Sequence, residues 1–111
     1  MRRFYALLRL AHGAPADPAR AAALEVDWWA AHRARQHAEL VTALTRLYAY
    51  LYRADEDSVR PAARLRARAM DLSDRWVDEG AAPGSPLIPA VRAALVRSYA
   101  ALLTAVHTVP A

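Results

Sequence analysis

Between Pro18 and Pro61 the chain contains neither glycine nor proline. A stretch of that length without a breaker, rich in alanine, leucine and arginine, is strongly biased to helix. Within it Ala22, Val26, Trp29, Arg33, Gln36, Leu40, Leu44, Leu47 and Leu51 recur at steps of three or four. Residues so spaced share one stripe of a helix. The unbroken phase through His37 and Ala38 predicts one central helix, roughly 50 Å long at 1.5 Å per residue. A bend in the region Gln36 to Glu39 would divide it.

The flanks read as shorter helices. Arg2 to His12 has Phe4, Leu7, Leu8 and Ala11 on one face, and Gly13 is a C-cap. Asp17-Pro18 pairs an N-capping acid with proline at the first helical position, a strong start signal. Tyr48, Tyr50 and Tyr52 spread around the end of the long helix, and only Tyr48 is placed for the core. Arg53 to Ser58 is a polar connection. The next helix starts at about Val59 or Pro61 and is stopped by Gly80; it buries Ala62, Leu65, Ala69, Leu72, Ser73, Trp76 and Val77. The last starts at Pro86 or Pro89 and runs to about Thr108, burying Leu87, Val91, Ala94, Leu95, Ser98, Leu102, Ala105 and Val106. The expected fold is all-α: a single domain over 1–111, an antiparallel bundle of four helices, or five if the long one bends.

Composition narrows the function classes. With 111 residues the chain is long enough for one core, and with no cysteine it has no disulfide, thiolate metal site or cysteine nucleophile. All 15 basic residues are arginine, and lysine and asparagine are absent, a bias that fits a GC-rich coding sequence. The net charge is +4 and the pI about 10.1. Acids alternate with the arginines, as in Arg68, Asp71, Arg75 and Glu79, so nucleic acid, which needs a contiguous basic stripe, is not an expected partner. Arg9 and His12 interrupt the apolar run Phe4 to Leu8 before it reaches signal-peptide length, and no other stretch approaches a membrane span. A cytoplasmic protein with no membrane contact is expected.

The sharpest feature is a polar intrusion into the long stripe. Arg33 and Gln36 stand where a bundle places Leu or Ala, and burying either costs several kcal/mol unless it is partnered. Around them lie Glu25, Trp29 and His32. Arginine presents a planar donor fork and glutamine a donor and an acceptor, a pair suited to a carboxylate- or amide-bearing ligand. His32, oriented by Glu25, is the candidate catalytic residue for proton transfer, and Trp29 is a wall. From the third helix, Arg66 and Ser73 fall on the apolar face and could complete the pocket; Asp71, Asp74, Arg75 and Asp78 read as a solvated charge face. A purely structural alternative has Arg33 lying along Trp29 with its head in water, or a buried Arg–Gln pair fixing the register of a dimer.

Other chemistries lack their signatures. His32 and His37 are five apart and point away from each other, and no Glu-x-x-His pair of the di-iron type occurs, so no metal site is expected. No nucleophile elbow, glycine-rich phosphate loop, helix-turn-helix or zinc pattern is present, and the core calls for no cofactor. Ser98, in its alanine-rich stripe, is expected to bond back to its own helix.

Two readings follow. In the first, the bundle binds a small anionic or amide-bearing molecule and is a small enzyme of secondary or central metabolism working through His32 and Glu25. In the second it is a homodimeric interaction module with no catalysis, docking a partner through the long helix and Trp28, which points about 100° off the stripe. A helix of roughly 50 Å overhangs a domain of this size, which predicts a homodimer in either case. The long helix with inward Arg33, Gln36 and Glu25 resembles in architecture the helical chorismate mutases, small all-α dimers that hold a dicarboxylate with Arg, Gln and Glu. Their motif does not align residue by residue here, and Trp28-Trp29 and the three tyrosines stand outside their pattern, so no activity is carried over.

Overall fold

The computed structural model describes residues 17–107. All four elements are helices and no strand occurs among the described residues: α1 (Pro18–Arg33), α2 (His37–Tyr52), α3 (Glu56–Asp78) and α4 (Leu87–His107). The expected helix over Arg2 to His12 lies outside the described residues.

The single long helix is not observed. Arg35 adopts a left-handed backbone (φ 54) and divides it into α1 and α2. The Arg35 N–H donates to the His32 carbonyl and the Gln36 N–H to the Ala31 carbonyl, both at 3.0 Å. This pairing is a Schellman ending, which usually takes glycine at the left-handed position. The same device ends α3 at Gly80 (φ 101), and a left-handed residue also ends α2 at Arg53 (φ 51), where both the Arg53 and Ala54 N–H groups donate to the Ala49 carbonyl. Of the three ends only that of α3 carries glycine; the end at Tyr52 is read instead from the polar run Arg53 to Ser58, and the break at Arg35 carries no such mark.

The break resets the helical phase, and this decides which tryptophan is inside. In α1 the inward residues are Leu24, Trp28 and Ala31, one step off the expected stripe, while Val26 is 56% and Trp29 54% exposed. Trp28 packs on Leu40, Leu44, Ala63 and Ala67. Arg33 and Gln36 are exposed and intrude on no core. Past the break the expected stripe holds for Leu40, Leu44 and Leu47, which are buried, but not for its last member, Leu51, which is 38% exposed.

Local chemistry fixes the other ends. The Asp17 carboxylate accepts from Ala19 N–H at 3.0 Å and caps α1, and the Asp17 N–H donates to the Tyr50 hydroxyl at 2.7 Å. The start of α1 is thereby held against the last turns of α2. Helix α3 begins at Glu56, before the expected start, and carries Pro61 in its second turn. A proline there removes one N–H from the ladder but sits close enough to the start to be tolerated. Ser85 Oγ accepts from Leu87 N–H at the start of α4, and Trp76 Nε1–H donates to the Ala82 carbonyl at 2.8 Å across the α3–α4 loop.

Helix α3 is the centre, because it is buried on two sides. Ala69 and Leu72 meet Leu87 and Ala94 of α4, and Val59 and Ala62 meet Leu102, Ala105 and Val106. Ala63 and Ala67, absent from the expected core, meet Leu40 and Leu44 of α2. Val77, expected inside, is 59% exposed. Tyr52 joins Tyr48 against the Val59–Leu102 cluster, with ring centroids 6.4 Å apart. Buried Ser98 donates across to the Ala62 carbonyl at 2.9 Å, linking α4 to α3 where a bond within its own helix was expected.

The outer side of α4 exposes Val96, Tyr99 and Leu103. By length and composition this helix is apolar enough to cross a membrane: its best window has mean hydropathy 1.3 and is 17% buried. No such span was expected from the sequence; Arg92 and Arg97 lie within this helix, and two charges do not lower the mean enough to disqualify it.

Candidate functional site

Asp71, Asp74 and Asp78 lie on α3 at i, i+3 and i+7, and therefore on one face. That face meets the α1–α2 corner, which supplies one cationic or titratable partner to each carboxylate. His37 Nδ1 is 2.9 Å from Asp71 Oδ2, His32 Nε2 is 3.0 Å from Asp74 Oδ2, and the Arg35 guanidinium donates to both oxygens of Asp78 at 3.1 and 3.4 Å. Only the middle pair is substantially sheltered, with side chains 30% and 27% exposed. The other two face solvent, where such pairs contribute little. Asp78 holds the Arg35 guanidinium above its ordinary pKa, first through the hydrogen bond and then through its charge, with Asp74 adding to it.

The sheltered pair lies between two hollows. The smaller, of about 210 Å³, lies in the corner itself, with Ala31 and Leu40 as its apolar part and Gln36, His37 and Arg75 among its polar lining. The larger, of about 490 Å³, lies on the other side of His32 and is lined by Trp28, Trp29, Arg33 and Arg35. The two indoles meet edge to face at 6.2 Å. Gln36 Nε2–H makes a single long bond of 3.5 Å to the Ala34 carbonyl, and Arg75 reaches Glu79 at 3.8 Å, so both polar heads are loosely held.

The expected site residues are thus partly reunited. His32 and Gln36 share the corner pocket, while Trp29 and Arg33 line the neighbouring hollow. Glu25, assigned to orient His32, is half-buried two turns away, roughly 10 Å along the axis. The carboxylate on His32 is Asp74 instead. Arg66 lies beside the Tyr48 phenol and Ser73 is half-buried on α3; neither lines either hollow. Burial pushes the Tyr48 phenol up, and nearby Arg66 opposes that shift. Tyr52 is pushed up by burial and then by Tyr99.

Sequence reasoning missed Asp74, Arg35 and His37. The available signal was three acids on one face of α3, of which only Asp71 has an arginine at i+4; Asp74 and Asp78 have Asp78 and Ala82 there and so await cations from elsewhere. Among the described residues no group of three or more His, Asp or Glu is placed to hold a metal ion. No protein-family model matches the chain, no curated protein is detectably similar to it, and no solved structure matches it.

Proposed function

We propose that the corner pocket binds a small anionic or amide-bearing molecule, and that the His32–Asp74 pair moves a proton on it. The observation that carries this reading is the 3.0 Å contact between His32 Nε2 and Asp74 Oδ2 at the edge of the pocket. A carboxylate on Nε2 favours the tautomer with hydrogen there and leaves Nδ1 as the acceptor, the arrangement of a general base with its orienting acid. Gln36 keeps an acceptor and a second N–H for an amide or carboxylate, and Arg75 supplies the charge for an anion. In this reading the protein is a small metabolic enzyme, Asp74 takes the role first given to Glu25, and Arg33 with Trp29 lines the approach. An antiparallel packing of the four helices belongs to the same proposal.

A protein-observed heteronuclear NMR screen with small carboxylates and primary amides tests this. Binders should shift the amides of Ala31 to His37 and of Asp71 to Arg75, and H32Q or D74N should abolish the response. A screen in which no carboxylate or amide perturbs those segments would sink the reading.

A second reading, the homodimeric interaction module, draws on exposed apolar side chains. Trp28 cannot serve it, being packed in the core; Val26 and Trp29 on α1 and Val96, Tyr99 and Leu103 on α4 are the candidates. Sedimentation of the wild type beside V96S/L103S separates the readings, since a dimer through α4 would dissociate in the variant. The long-helix feature behind the chorismate mutase analogy is lost with the break at Arg35, so that analogy supports neither reading.

A further inference from the structure

Arg60, Arg64 and Arg68 follow one another at i, i+4 and i+8 on α3, along a groove of about 510 Å³ whose other wall is Val41 and Thr42 of α2. Like charges at that spacing repel and destabilise a helix. Elsewhere arginines of this surface have acids: Arg60 pairs with Glu56 at 3.6 Å and with Asp57, Arg75 with Glu79, and Arg35 with Asp78. Arg64 and Arg68 have no acidic partner among the described residues. The nearest acid in sequence to Arg68 is Asp71, and His37 holds it at 2.9 Å. The groove therefore concentrates two guanidinium groups with no ion-pair partner beside a hydroxyl, with the His37–Asp71 pair in the lining at one end, in a volume within the ordinary range for small-molecule sites.

We propose that this groove binds a small phosphate-bearing molecule, with Arg64 and Arg68 clamping the phosphate and the Thr42 hydroxyl as a third donor. Guanidinium forks match phosphate oxygens two at a time, which a halide cannot exploit. The size of the ligand follows from what bounds the row. Glu56 and Asp57 neutralise it at one end, and Asp71 and Asp74 stand at the other, so the free positive stretch is about 6 Å, one helical turn. A polynucleotide strand carries a charge about every 3.4 Å and needs a longer track; one or two phosphates fit. This site adjoins the His32–Asp74 pocket across the shared His37–Asp71 pair, but its proposed donors, Arg64, Arg68 and Thr42, line only the groove and do not depend on His32 or Asp74.

The test is a titration of the full chain with sodium pyrophosphate at constant ionic strength, with sodium chloride as control, followed by heteronuclear NMR. Saturable shifts at Thr42, Arg64 and Arg68, weakened about tenfold in R64Q and again in R68Q, are expected. Both side chains are exposed, so the variants should fold, and an unchanged thermal midpoint verifies it. Shifts that do not saturate, that chloride reproduces, or that persist in R64Q/R68Q would overturn the proposal. So would a 20-nucleotide single strand that outcompetes pyrophosphate with a steep salt dependence, because the ligand would then be a nucleic acid.

Discussion

Arg35 is gripped by Asp78 through both carboxylate oxygens, and it is also the residue whose left-handed backbone turns α1 into α2. A side chain anchored 43 residues away thus sits on a backbone that a non-glycine residue adopts at a cost of roughly 1–2 kcal/mol. R35G relieves that cost and loses an exposed ion pair that contributes little, with some offset from the freer unfolded chain. Its stability should change by less than about 1 kcal/mol. R35V keeps the strain, adds a β-branch and loses the pair, and should destabilise by roughly 2 kcal/mol. Urea unfolding of the three proteins measures the difference; equal losses in both variants would mean that the side chain, not the backbone, holds the corner.

The neighbouring tryptophans should behave as opposites. W28A removes a ring packed on Leu40, Leu44, Ala63 and Ala67 and should cost about 2–4 kcal/mol, while W29A should stay within about 0.5 kcal/mol. Acrylamide quenching of W28F and W29F, each read against W28F/W29F, which leaves Trp76 as the one emitter, separates their emission. Strong quenching of the Trp28 signal alone would contradict the phase assigned to α1.

Ser98 should be worth more than its size suggests. S98A removes the only bond seen from α4 to the Ala62 carbonyl and should cost about 1 kcal/mol, visible as a lower denaturant midpoint with unchanged slope. S98V replaces the hydroxyl with bulk against an alanine surface, and should cost more.

At alkaline pH the tyrosines set the limit. Tyr48 and Tyr52 are held above their ordinary value of 10.0, chiefly by burial. A group whose pKa is raised on folding gives its full stabilisation below the unfolded value, and that stabilisation is lost as pH rises through the folded one. Stability should therefore be flat with respect to these groups below pH about 10 and fall above it. Y48F should shallow that fall without altering the neutral plateau by the same amount; urea midpoints between pH 9 and 11.5 report it.

The start of α1 at Asp17-Pro18, the stop at Gly80, most of the inner face of α4 and the all-helical class were legible because each rests on local chemistry. The corner was not. Helix stops are read from glycine and proline, and here arginine takes the left-handed position, so Arg33 and Gln36 were counted along one phase although the break at Arg35 lies between them. That error moved Trp29 inside and Trp28 outside. His32 was found, since a histidine near two tryptophans draws notice in any phase. Its carboxylate was not, because Asp74 becomes a partner only when α3 lies beside the corner, and nothing in the local sequence of either says so.

The inward surface of α3 is built largely from methyl groups, at Ala62, Ala63, Ala67 and Ala69, each at most 2% exposed. Helix axes that meet over alanine approach to the short end of the usual 8–10 Å. There is then little at those four places to remove and no room to add. In most small domains the dangerous substitutions are truncations of large core side chains. Here, enlargement along one helix is the greater hazard: a single extra ethyl or isopropyl group would wedge α3 from α4 at Ala62 or Ala69, and from α2 at Ala63 or Ala67. Tolerance to mutation should therefore run inversely to side-chain volume along this helix, and the chain's freedom to vary lies on its rim.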